Sequence, residues 1–125
     1  MTDNQGTGPS DPLRIKYSTT DGIRVVTLHG EIDHHVKDAL SEALLPLDAT
    51  DGGGGGHRIV ADLSGVTFLD SSGINALLQV HQRADAAQGW LRLAAAQEPV
   101  MRVLQLVGLD TVLSFHSTVE QALDA

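Results

Sequence analysis

Hydrophobic and polar positions change period several times along the chain, and the changes mark its elements. Leu13, Ile15 and Tyr17 alternate with Arg14, Lys16 and Ser18, the period of a half-buried strand. Asp21-Gly22 supplies a turn and an apolar run over residues 23–28 returns as a second strand, so the sheet is predicted to start with a hairpin. Gly30 to Asp33 then closes the strand, and Val36, Leu40, Ala43, Leu44 and Leu47 recur at helical spacing. Asp33 is placed to cap this helix, which should start near His34.

Pro46 and the polar stretch after it end the helix, and a run of five glycines follows over residues 52–56. A flexible chain of that length spans on the order of 12 Å, so residues 48–57 are expected to form a mobile connection. A phosphate-cradling loop would need Gly-Lys-Ser/Thr, or a Gly-x-Gly-x-x-Gly opening a helix, and neither is present. Ile59, Val60, Ala61 and Leu63 form the next strand, expected to end in a turn near Ser64-Gly65. Ile74, Leu77, Leu78, His81 and Ala84 then fall on one helical face.

Gly89 signals the end of that helix, and Trp90, Leu91, Leu93 and Ala94 make a further strand. Trp90 reads as core or as an exposed anchor. Pro99 suits the first turn of a third helix carrying Val100, Val103, Leu104 and Val107, stopped by Gly108. Val112, Leu113 and Phe115 suggest a short final strand, and Ser117 with Glu120 suggests a capping box for a last helix carrying Val119, Ala122 and Leu123. Strands alternating with helices predict an α/β layered domain with a mixed sheet.

Composition narrows the function. The 125 residues suffice for one domain, expected over 13–125, while residues 1–12 have too little to bury and are expected to be a disordered tail. A formal net charge of −8 repels nucleic acid phosphate and offers no basic stripe. Absence of cysteine removes disulfides and thiolate chemistry. No apolar run approaches the roughly 20 residues of a membrane span, and the polar start lacks a signal-peptide core, so a cytoplasmic protein is expected.

The polar chemistry concentrates in Asp70-Ser71-Ser72-Gly73, at the head of the second predicted helix. Unpartnered N–H groups and the helix dipole there accept a cap from Asp70 or Ser71 and favour an added anion. From local chemistry Ser72 reads as a capping residue, a nucleophile or a phosphorylation site. A hydrolase would want an orienting His and acid, commonly with the serine in Gly-x-Ser-x-Gly, and that elbow is absent. A metal site at His34 and His35 is disfavoured because adjacent helical residues point about 100° apart. Neither an enzyme nor a cofactor is expected.

The stretch from Asp62-Leu63-Ser64 to Asp70-Ser71-Ser72-Gly73, with Gly30-Glu31-Ile32-Asp33 followed by His34-His35, resembles the STAS family, specifically bacterial anti-sigma factor antagonists, over residues 13–123. The resemblance implies the STAS fold, a mixed four- to five-stranded sheet with four helices packed mainly on one face. It implies that Ser72 is a phosphoacceptor, with Ser71, Asp70, Asp33, Glu31 and His34 around it and Gly73 letting the partner approach. The implied partner is an anti-sigma factor with serine kinase activity, bound by the unphosphorylated form so that a sigma factor is released. A serine phosphatase would reset the switch, and the chain would be a monomer or weak dimer. The glycine run is not a family feature and reads as an insertion. The same resemblance admits a second reading, a STAS scaffold subunit of a stress-signalling or lipid-transport complex without the switch.

Overall fold

A computed structural model describes residues 13–44 and 58–125. The expected tail over 1–12, the glycine-rich loop over 48–57, and Leu47 of the first predicted helical face lie outside the described residues. Five strands form one sheet in chain order: β1 Arg14–Thr20, β2 Ile23–Ile32, β3 Arg58–Leu69, β4 Trp90–Ala94 and β5 Ser114–His116. The β1–β2 hairpin is antiparallel and every later pair is parallel. The helices are α1 Lys37–Leu44, α2 Ser71–Ala86, α3 Glu98–Leu106 and α4 Val119–Asp124, with a 3₁₀ turn at Leu109–Thr111 between α3 and β5.

The predicted hairpin turn is present. Asp21 and Gly22 have φ of 53° and 80°, the paired positive values of a two-residue turn whose twist matches that of the strands. β2 and β3 lie at the centre and are apolar toward both layers. Val26 and Leu28 with Ile59, Ala61 and Leu63 meet α1, α2 and α3 in the main core, where Leu40, Leu44, Leu77 and Leu104 are wholly buried. Each such leucine contributes on the order of 2 kcal/mol by leaving water. Ile23, Val25, Val60 and Ala94 face the opposite layer, where Ala122 of α4 is buried. Three helices therefore cover one sheet face and α4 the other. Trp90 sits half-buried in the smaller cluster, with the Arg92 guanidinium 3.5 Å above its ring while Arg92 donates to the Ala122 carbonyl at 2.8 Å.

Several predicted boundaries move. β2 runs on through Gly30 to Ile32 because parallel pairing with β3 continues, Ile32 lying opposite Leu69. β3 likewise continues past Ser64-Gly65. The turn chemistry there is used inside the strand: the Ser64 N–H donates to Asp62 Oδ1 at 3.0 Å, and pairing slips between Thr27/Asp62 and His29/Gly65. This is a bulge, in which the extra residue on β3 bends the strand without reversing it. A Cβ on Gly65 would collide with the His29 ring, so only glycine fits there.

The helical path of α1 begins at Lys37 rather than His34, because residues 34–36 form a separate turn in which the Val36 N–H donates to the Asp33 carbonyl at 3.1 Å. After α2 the left-handed residue is Gln88, φ 67°, and Gly89 follows it. The last capping box is shifted one residue: Thr118 Oγ1 accepts the Gln121 N–H and Gln121 Oε1 accepts the Ser117 N–H, both at 3.1 Å.

Candidate functional site at the head of α2

The C-terminal ends of β2 and β3 bring the two polar loops together. The Asp70 N–H donates to the Ile32 carbonyl at 3.1 Å, so the chain leaves β3 beside the residue that precedes Asp33. Asp70 is extended and its Oδ1 accepts from the Ser72 N–H at 2.9 Å and the Gly73 N–H at 3.2 Å. Asp70, not Ser71, is thus the N-cap, and its charge also complements the helix dipole. Asp70→Ala is expected to cost about 1 kcal/mol of stability, read as a fall in the urea midpoint at unchanged slope. An unchanged midpoint would mean that the cap contributes nothing.

Ser71 is exposed and Ser72 half-buried. Ser72 lines a groove between α1 and α2 with Asp38, Ser41, Asn75, Ala76 and Gln79. Composition and local motif gave no hint of Asp38 and Ser41, because only tertiary packing brings α1 alongside. Asn75, Ala76 and Gln79 were discoverable as helical neighbours at three, four and seven residues from Ser72. Among the described residues no lysine or arginine lines this groove.

Asp33 lies in the neighbouring turn, where its Oδ1 accepts the His35 N–H at 2.9 Å and its Oδ2 stands 3.6 Å from His35 Nδ1. Asp33 therefore caps this tight turn, and the helix proper starts later. The His35 backbone N–H holds the Asp33 carboxyl below the ordinary carboxylate value, and the His35 side chain and His34 act in the same direction against a partial desolvation. A carboxyl lowered by folding contributes stability above its unfolded value, and that contribution is lost as pH falls through the folded value. The 33–36 turn is therefore expected to loosen only below the usual Asp range. A carboxyl-carbon NMR titration should place the Asp33 midpoint below that of an unstructured Asp, and coincidence of the two would contradict the turn.

His34 is exposed, its ring centroid 3.9 Å from that of His35, and Glu31 is exposed on β2 opposite Phe68 of β3. Phe68 is 47% exposed, an aromatic left in solvent two residues before the cap and missed as a surface residue because it stands among the apolar Val66 and Leu69, both buried. Gly73 has a reason other than access by a partner. It is buried, and a Cβ there would overlap Leu69 Cδ1 and stand 2.6 Å from Ile32 Cγ2, so the helix start rests directly on the ends of β2 and β3. Among the described residues no three His, Asp or Glu side chains group to hold a metal ion, and no helix is long and apolar enough to cross a membrane.

A mixed sheet whose longest strand feeds a serine-headed helix, with its polar residues on the rim and not in an interior cavity, defines a small α/β domain built around a surface site. The chain belongs to the STAS domain family, whose model matches residues 14–122. It is 27% identical over 115 residues to an anti-sigma F factor antagonist of Paenibacillus polymyxa, covering 89% of this chain and 92% of the relative. The crystal structure of an anti-sigma factor antagonist from Mycobacterium paratuberculosis superposes with a TM-score of 0.78 at 28% identity, covering 94% of this chain and 96% of that one. SpoIIAA, an anti-sigma factor antagonist solved in its unphosphorylated form, gives 0.65 at 26% identity over 89% of this chain and 94% of that one.

Proposed function

We propose that this chain is an anti-sigma factor antagonist working in the cytoplasm, and that phosphorylation of Ser72 switches it off. Unmodified, it binds an anti-sigma factor and draws it from a sigma factor. The partner also acts as the serine kinase for Ser72, and a serine phosphatase restores the hydroxyl. Ser72 is then a substrate of chemistry performed by others, and the chain itself catalyses nothing. Its likeness to the anti-sigma factor antagonists of Paenibacillus polymyxa and Mycobacterium paratuberculosis supports the antagonist role.

The observation that carries the switch is the setting of Ser72. Its backbone N–H is already committed to Asp70, its side chain lines an open groove, and that groove holds Asp38 and, among the described residues, no cation. A phosphate adds about −1.5 to −2 charge at neutral pH and, among the described residues of the groove, finds no arginine or lysine to pair with. It changes the charge of the surface presented to a partner and leaves the packing behind it in place. Ser71, Asp70, Asp33, Glu31 and His34 border that surface as the groups the partner meets.

The reading is tested by adding the unmodified chain to preformed complexes of candidate anti-sigma and sigma factors and following the sigma factor by size-exclusion chromatography. Free sigma factor and a new complex of this chain with the anti-sigma factor are expected. Failure to displace sigma from any candidate complex would remove the antagonist role.

A further inference from the structure

β3 carries a second bulge near its end. Gly30 pairs with Val66 and Glu31 with Phe68, so Thr67 is an extra residue that β2 does not match. The bulge changes which side chain faces water. Straight alternation from the buried Val66 would turn Phe68 inward and Leu69 outward, but with the extra residue Leu69 joins Val66 in the main core and Phe68 points to the other side. There the ring is half-exposed beside the exposed Glu31. α4 covers only the far end of this sheet face, over Ile23, Val25, Val60 and Ala94. β4 pairs with β3 no further than Asp62, so among the described residues no strand flanks Phe68 on that edge. Tyr17, Leu106, Val107 and Val112 are also exposed, but of the large apolar side chains left in solvent among the described residues Phe68 is the one at the strand ends that lead to Asp33 and Asp70.

We infer that Phe68 is the apolar anchor of the contact with the anti-sigma factor, its ring entering a nonpolar socket on that partner. This rests on the antagonist role proposed above and names the side chain that supplies its binding energy. A ring turned into water forgoes the stabilisation that burial in the fold would give, and regains it only when another surface covers it. Buried aromatic anchors of this kind carry much of the energy of protein interfaces. Glu31 joins the ring to the surface already assigned to the partner, since the two side chains stand side by side on paired strands. The bond from the Asp70 N–H to the Ile32 carbonyl holds the head of α2 at the same strand ends. A partner seated on Phe68 and reaching Ser72 therefore straddles the ends of β2 and β3. Burying the ring expels water from this rim, and a phosphate on Ser72 would have to lose hydration in the same step.

Isothermal titration of candidate anti-sigma factors with the parent chain, Phe68→Thr and Phe68→Leu tests this, with thermal melts alongside. Threonine keeps the β-branched preference for a strand, so Phe68→Thr should fold and melt close to the parent. Its affinity should fall about thirty- to a hundredfold. Its heat-capacity change on binding should also be less negative than the parent's, because less apolar surface is buried. Phe68→Leu, which keeps an apolar side chain, should recover most of the affinity. A folded Phe68→Thr that binds as tightly as the parent overturns the anchor and leaves the antagonist role standing, and so does a loss of affinity with an unchanged heat-capacity change and no recovery in Phe68→Leu. A parent chain that binds no candidate overturns the antagonist role and the anchor with it.

Discussion

Ser72→Ala is expected to bind the anti-sigma factor as tightly as the unmodified chain, and Ser72→Asp or Ser72→Glu at least a hundredfold more weakly. The asymmetry follows from what surrounds the hydroxyl. Removing one oxygen from a half-buried serine takes away little contact, and the Asp70 cap that organises the helix start uses the backbone of Ser72, not its side chain. Adding a carboxylate puts a further negative charge beside Asp70 and Asp38, with no cation among the described residues that line the groove. In water that charge is tolerated. Against a partner it must be desolvated near like charges, and truncated or mismatched buried charges cost about 2–5 kcal/mol. A loss of ~3 kcal/mol already exceeds a hundredfold in affinity.

Thermal stability should hardly move in any of the three variants, because the helix dipole offsets part of the added repulsion at the first turn. Isothermal titration paired with thermal melts separates the two effects. Equal affinity of all three variants would show that the groove is not where the partner sits.

Gly73 should be the most structurally demanding residue of the site. Gly73→Ala gains up to about 1 kcal/mol of helix propensity, yet the added methyl has to displace both Leu69 and Ile32. Overpacking of this sort costs about 1–3 kcal/mol, so a net loss is expected. Gly73→Val adds a second branch against the same side chains and should cost about 3 kcal/mol, lowering the melting temperature by roughly 10 °C. That is a large share of the ~5–15 kcal/mol that holds a domain of this size together. Partner binding by Gly73→Ala should fall only as far as its folded fraction falls. A Gly73→Ala chain as stable as the parent would mean that α2 does not press on the strand ends as described, and a folded chain that has lost binding would return Gly73 to the interface.

The hydrophobic pattern sufficed for the order of elements, since alternation, helical spacing and the Asp-Gly turn each report on a backbone period. It failed where one local signal serves two structures. Asp62-Leu63-Ser64-Gly65 carries the residues of a turn, and Asp62 does accept the Ser64 N–H, but the parallel partner β2 keeps the chain in the sheet and the turn becomes a bulge. Asp33 likewise caps a turn one step before the helix it was expected to open, because His34 and His35 fold back onto it first.

The site itself was legible in part. Asp70, Ser71 and Ser72 at a helix start are a local arrangement and could be read from spacing. The groove against Asp38 and Ser41, the contact of Gly73 with Leu69 and Ile32, and the exposure of Phe68 depend on how distant elements pack, which no local window encodes.

The proposed role of Ser72 as phosphoacceptor of a partner switch is decided by intact mass with site mapping, after incubating the purified chain with ATP and each candidate anti-sigma kinase alongside a Ser72→Ala control. One phosphate on Ser72, absent from the control, is the expected result. Stable complexes with no phosphate added by any candidate, or a phosphate that persists in the Ser72→Ala chain, would contradict it.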